Sequence, residues 1–102
     1  MARYPDYVPH GVIPAALLAF DEDYAIAEAE TRRHFSYLGD VAGITAVTVN
    51  GHSSEVHACS FDEQTRILGI AGETIGDRLP LINGIYADGS LEAARLARMA
   101  ET

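Results

Sequence analysis

Three short apolar runs, at residues 11–20, 44–49 and 79–85, alternate along the chain with three longer stretches whose apolar residues recur at helical spacing. The first run, Gly-Val-Ile-Pro-Ala-Ala-Leu-Leu-Ala-Phe, is almost continuously apolar, as a strand covered on both faces requires. Pro14 has no N–H for a ladder and belongs near the beginning of that strand or at a bulge. The second run, Ile-Thr-Ala-Val-Thr-Val, is β-branched and has the length of a buried strand. Between them, residues 25–42 predict a helix with Thr31, Phe35, Leu38 and Val41 or Ala42 on one stripe. Glu28, Arg32, Arg33 and Asp40 lie largely outside that stripe, and Gly43 is expected as its C-terminal cap. Ser60 and Glu63 form a capping box for a second helix, whose stripe is Phe61, the stem of Arg66, Ile67 or Leu68, Ala71 and Ile75. After the third run, Ser90 is expected to cap a helix over 91–100, with Arg95 and Arg98 near its C-terminal end, where the helix dipole favours cations.

Strands therefore start near residues 12, 44 and 80, a repeat of roughly 32 to 36 residues, which is the size of a βα unit with its crossover. The pattern predicts an α/β chain with parallel strands, preceded by an irregular lead-in over residues 1–10. One hundred and two residues suit one domain or a piece of something larger. With 48% hydrophobic residues and four prolines the chain should fold rather than stay disordered. Its seven arginines stand against fifteen acids, a formal charge of −8, which argues against nucleic acid and anionic membranes as partners. No apolar run approaches the roughly 20 residues of a membrane span, so a soluble, cytoplasmic protein is expected.

Candidate chemistry concentrates at Thr48-Val49-Asn50-Gly51-His52-Ser53-Ser54-Glu55, where the second strand stops and a glycine, two hydroxyls and a carboxylate arrive together. Gly51 is expected to let the backbone turn, so that N–H groups, Ser53 and Ser54 converge on an anion at the carboxyl end of the strand. A plain strand-to-helix turn with capping serines has the same local pattern. Asn50-Gly51 and Asn83-Gly84 end two consecutive strands, which gathers the polar loops on one face. Metal binding is not expected. Cys59 has no second thiol to share a disulfide or a zinc ion, and His10, His34, His52 and His57 form no helical pair. Asp21-Glu22-Asp23 reads as a solvated turn. No G-x-G-x-x-G follows any strand and no phosphate-binding loop with lysine is present, so neither nucleotide fingerprint is met. No cofactor is expected. Lysine is absent altogether, which rules out a lysine nucleophile supplied by this chain.

From Gly11 onward the sequence resembles the first third of the dihydrodipicolinate synthase and N-acetylneuraminate lyase family. The resemblance rests on Gly11-Val12-Ile13-Pro14-Ala15 with Phe20-Asp21-Glu22-Asp23, on Arg32-Arg33-His34 with Tyr37-Leu38, and on Asn50-Gly51-His52-Ser53-Ser54-Glu55. Arg78-Leu79-Pro80-Leu81-Ile82-Asn83-Gly84 and Ala87-Asp88-Gly89-Ser90-Leu91-Glu92-Ala93 complete it. It implies that residues 11–102 are three consecutive βα units of a TIM (β/α)8 barrel. It also implies a class I aldolase or lyase that forms a Schiff base between a lysine and pyruvate or a related 2-oxo acid, the lysine and a relay tyrosine lying on later strands. In that scheme Gly51, His52, Ser53 and Ser54 hold the substrate carboxylate and Ser53 relays a proton, while Asn50, Glu55, Asn83 and Tyr86 stand behind them. His52 replaces the family's first hydroxyl, Ser54 its second glycine, and Leu18-Ala19 a threonine-proline pair, which points to a different 2-oxo acid substrate. An isolated third of a barrel would expose sheet edges, so a homo-oligomer or the remainder of the barrel is the expected protein partner. The alternative reading is a non-enzymatic, oligomerising α/β module that keeps a carboxylate-binding loop.

Overall fold

The computed structural model describes residues 3–101; Met1, Ala2 and Thr102, the outermost residues of the expected lead-in and barrel portion, lie outside the described residues. The regular elements are α1 (Glu28–Asp40), β1 (Val47–Val49), α2 (Phe61–Thr74), β2 (Leu81–Asn83) and α3 (Ser90–Glu101), with two single 3₁₀ turns, His52–Ser54 and Val56–Ala58, between β1 and α2. β1 and β2 are parallel, in the register Val47 to Leu81, Thr48 to Ile82 and Val49 to Asn83.

The first apolar run flanks β1 on its other side, but as isolated parallel bridges, Val12 to Ile44 and Ala15 to Thr48. Three steps on the first segment thus match four on its partner, so the pairing is bulged opposite Pro14. Pro14 still accepts the Thr48 N–H at 2.9 Å, and Ala16 donates to the Thr48 carbonyl at 2.8 Å. Sheet order therefore follows chain order, with every neighbour parallel and β1 in the centre.

α1 begins three residues later than its periodicity suggests. Phe20 and Ile26 form an antiparallel bridge, and Ala27 donates to the Ala19 carbonyl at 2.8 Å, so residues 25–27 double back on the first segment before the helix can start. Asp21 shapes that turn by accepting the N–H groups of Asp23 and Ala25 at 2.8 and 3.0 Å. Thr31, Phe35 and Leu38 are buried on the expected stripe, whereas Val41 is exposed, because the helix stops at Asp40 and Gly43 turns the chain at φ 93°. His34 accepts the Leu17 N–H through Nε2 at 3.0 Å, which ties α1 to the first segment.

α2 carries the capping box: Ser60 Oγ accepts from the Glu63 N–H at 3.1 Å, and the Glu63 carboxylate accepts from the Ser60 N–H at 2.9 Å. Its buried face is Gln64, Ile67, Ile70 and Ala71, so Ile67, Ala71 and Ile75 of the expected stripe are buried, while Phe61 is half-buried and Arg66 exposed. α3 includes Ser90 as its first residue, and Ala93 donates to the Gly89 carbonyl, so Gly89 rather than Ser90 holds the cap position. Only Leu96 of α3 is buried, and Leu91 is 89% exposed.

Ala16, Leu18, Phe35, Leu38, Val47, Val49, Ile67, Ile70 and Ile75 form one core between the sheet and the helices. Leu17, between two of them, faces the other way and is 59% exposed. The lead-in straps the amino-end side: Tyr4 donates to the Gly76 carbonyl at 3.0 Å, and Arg3 to the Gly72 carbonyl and Asp77, each at 3.2 Å. Among the described residues no helix is long and apolar enough to cross a membrane.

Candidate functional site

The stretch from Asn50 to Cys59 leaves the carboxyl end of β1 and is turned by side-chain-bearing residues. Asn50 and Glu55 both adopt the left-handed conformation at φ 55°, whereas Gly51 is extended at φ −95°, ψ −173°. This corrects the expectation that Gly51 makes the turn: any residue adopts its backbone, and asparagine tolerates the left-handed region better than most. Ser54 needs no glycine-like freedom, because the 3₁₀ turn over His52–Ser54 transfers the positive φ to Glu55.

Asn50 is 1% exposed, and the amide nitrogen of its carboxamide makes two hydrogen bonds. Nδ2 donates to the Gln64 carbonyl at 3.0 Å and to Asn83 Oδ1 at 2.7 Å, while Asn83 donates onward to the Gly84 carbonyl at 3.1 Å. The two Asn-Gly pairs of the sequence thus meet side by side. A Cβ on Gly84 would overlap the Asn50 carbonyl, and Gly84 also donates its N–H to Val49 at 2.9 Å. Close approach, not turning, is why glycine stands there. Asn50 Oδ1 and Gln64 Oε1 are buried without a hydrogen-bond partner among the described residues.

Ser54 is 2% exposed; its hydroxyl donates to the Ala16 carbonyl at 2.6 Å and its N–H to the Gly51 carbonyl at 3.1 Å. Both donors are committed to holding the loop against the first segment. His52 and Ser53 are exposed, and among the described residues their N–H groups and the Ser53 hydroxyl take no hydrogen bond. Those groups, with the Gly51 N–H, are what the loop presents. Glu55 is exposed at the far side, with its N–H bonded to the His52 carbonyl at 2.9 Å.

His52 and His57 meet edge-on with ring centroids 5.8 Å apart, and His57 lies 6.3 Å from the Tyr86 ring. Tyr86 therefore stands beside the loop, with the His57 ring between it and His52. Burial pushes the Cys59 thiol up, with Glu63 and then Glu55 adding to the effect, and its Sγ lies 3.7 Å from the Glu55 carbonyl. Among the described residues no group of three His, Cys, Asp or Glu side chains is arranged to hold a metal ion. Two residues with structural leverage on the loop, Gln64 and Ala16, were missed from the sequence; Gln64 carried one signal, a polar residue in the middle of an apolar helix face.

Comparison with known proteins covers nearly all of this architecture. A model of the dihydrodipicolinate synthetase family matches residues 8–102. The 4-hydroxy-tetrahydrodipicolinate synthase of Methanopyrus kandleri is 32% identical over 92 residues, covering 89% of this chain and 30% of that protein. A dihydrodipicolinate synthase family protein from Coccidioides immitis superposes with a TM-score of 0.84 at 22% identity, over 92% of this chain and 32% of its own. CdNal from Clostridium difficile, crystallised with mannosamine, gives 0.83 at 28% identity over 89% of this chain and 31% of its own. These neighbours are TIM-barrel enzymes, and the chain spans about a third of the length of the relatives it matches.

Proposed function

The chain belongs to the dihydrodipicolinate synthetase family, and on that footing we propose that it is the first three βα units of a class I aldolase or lyase acting on pyruvate or a related 2-oxo acid. One observation carries the reading. At the carboxyl end of the central strand, the Gly51, His52 and Ser53 N–H groups and the Ser53 hydroxyl take no hydrogen bond among the described residues, on a loop tied down through Asn50 and Ser54. Such a run of donors suits a carboxylate. In this proposal the substrate carboxylate lies across Gly51, His52 and Ser53, and the Ser53 hydroxyl passes a proton to or from the carbon chemistry. The Schiff base forms on a lysine from outside these 102 residues; the protonated imine is an electron sink that stabilises the adjacent carbanion. Ser54 serves by fastening the loop, and Asn50 and Asn83 by bracing it. The cytoplasm is the proposed location.

A second reading, the non-enzymatic module that self-associates, is favoured by the exposed apolar residues Val12, Leu17 and Ile85 along the sheet. The two are separated by supplying the chain with the lysine-bearing remainder of a family barrel, adding pyruvate and reducing with borohydride. The enzymatic reading expects a stable adduct on the partner's lysine that forms only when the chain is present and is slowed by Ser53→Ala. Adduct formation indifferent to the chain, together with a large homo-oligomer of the chain alone, would establish the second reading.

A further inference from the structure

We infer that Gln64 is a positioning residue for the carboxylate loop, holding both ends of the stretch between Asn50 and Cys59 from a single place on α2; the inference rests on the reading of Gly51–Ser53 as a 2-oxo acid site. Its backbone carbonyl accepts Asn50 Nδ2 at 3.0 Å, where the loop begins. Its side-chain Nε2 donates to the Cys59 carbonyl at 3.3 Å, where the loop ends. Its N–H donates to the Ser60 carbonyl at 2.9 Å, which starts the helix. The orientation of the carboxamide follows from the Cys59 carbonyl, which requires a donor.

Stability alone is a poor account of this residue. Gln64 is 7% exposed and its Oε1 is buried without a partner among the described residues, whereas methionine would fill a similar volume without bringing an unpaired amide oxygen. What the carboxamide supplies and methionine lacks is the tie to Cys59. Between the two tied ends, Ser54 fastens the middle of the loop to Ala16, so Gly51, His52 and Ser53 are presented from a frame fixed at three points.

The test uses the 102-residue chain, with amide exchange of Ser54 and Glu55 as the measure of loop order and pyruvate titration of the Gly51, His52 and Ser53 amide signals as the measure of binding. In Gln64→Met, Ser54 and Glu55 are expected to exchange about tenfold faster while Phe35 and Leu96 keep their wild-type rates, a local opening rather than global unfolding. The pyruvate concentration for half-saturation should rise by a similar factor. Gln64→Glu adds a signature that a space-filling role would not produce. At neutral pH its carboxylate faces the Cys59 carbonyl and the loop opens; near pH 4 the protonated carboxyl donates again, and exchange returns to that of the wild type at the same pH. Wild-type exchange at Ser54 and Glu55 in both variants overturns the inference. Absence of any pyruvate shift in the wild-type chain sinks the carboxylate reading instead, and the exchange rates then decide the role of Gln64 in loop order by themselves.

Discussion

Asn50 and Asn83, thirty-three residues apart, join their carboxamides at 2.7 Å across the carboxyl ends of β1 and β2. Asn50 is also the left-handed residue that launches the loop, so one side chain sets both the direction of the backbone and its distance from the next strand. Replacing it by alanine removes one buried and one part-buried hydrogen bond and leaves a non-glycine residue at φ 55° without local support, a loss of about 2–4 kcal/mol. Asn50→Gly keeps the backbone and should lose less. Urea denaturation of both variants checks the order, and a double-mutant cycle with Asn83→Ala should return a coupling of about 0.5–3 kcal/mol.

Gly84→Ala places a methyl group against the Asn50 carbonyl and beside the Gly51 Cα. Both neighbours are backbone, so the strand ends must separate. A loss of about 1–3 kcal/mol is expected, with the Asn50 to Asn83 bond lengthened in the variant's structure. By contrast, a Cβ at Gly51 would meet only the Thr48 methyl at 3.6 Å, so Gly51→Ala should be tolerated in stability.

The two serines of the loop should separate cleanly. Ser54→Ala strands the buried Ala16 carbonyl and should cost about 1–2 kcal/mol in chemical denaturation. Ser53 is exposed and its hydroxyl has no hydrogen-bond partner among the described residues, so Ser53→Ala should leave stability within about 0.5 kcal/mol of the parent while weakening the response to pyruvate.

On the outer surface, Arg66 and then Arg32 hold the Glu28 carboxyl below its usual range, and Arg32 continues to Glu73 at 2.7 Å. The folded carboxyl therefore releases its proton more readily than the unfolded one. Its contribution is complete above the ordinary carboxylate range and disappears as the pH falls through the lowered folded value. Glu28→Gln should flatten the acid limb of the stability curve without moving the neutral plateau by much, since these pairs are solvent-exposed. An unchanged acid limb would show that the network carries no pH-dependent stability.

Periodicity and cap chemistry located the helices and the capping box because these are local: Ser60 and Glu63 satisfy each other within four residues, and Thr31, Phe35 and Leu38 repeat at helical spacing. The late start of α1 was not readable in this way, since it depends on the return contact between Phe20 and Ile26. The same holds for the site. A run of glycine, hydroxyls and an acid marked where to look, but Gly51 drew attention for a turn that Asn50 makes. Ser54 looked like Ser53 in sequence, and only the approach of Ala16, thirty-eight residues earlier, sets them apart. Gln64 was hidden for a related reason: its two ties to the loop involve Asn50 and Cys59, whose proximity is a property of the folded chain.

The central claim is that Gly51, His52 and Ser53 receive the carboxylate of a 2-oxo acid, and titrating the isotope-labelled chain with pyruvate while following its amide signals measures this directly. The account predicts saturable shifts centred on the amides of Gly51, His52 and Ser53, weakened by Ser53→Ala and absent from α1. Shifts that are missing from these three residues, or that persist unaltered in Ser53→Ala, would contradict it.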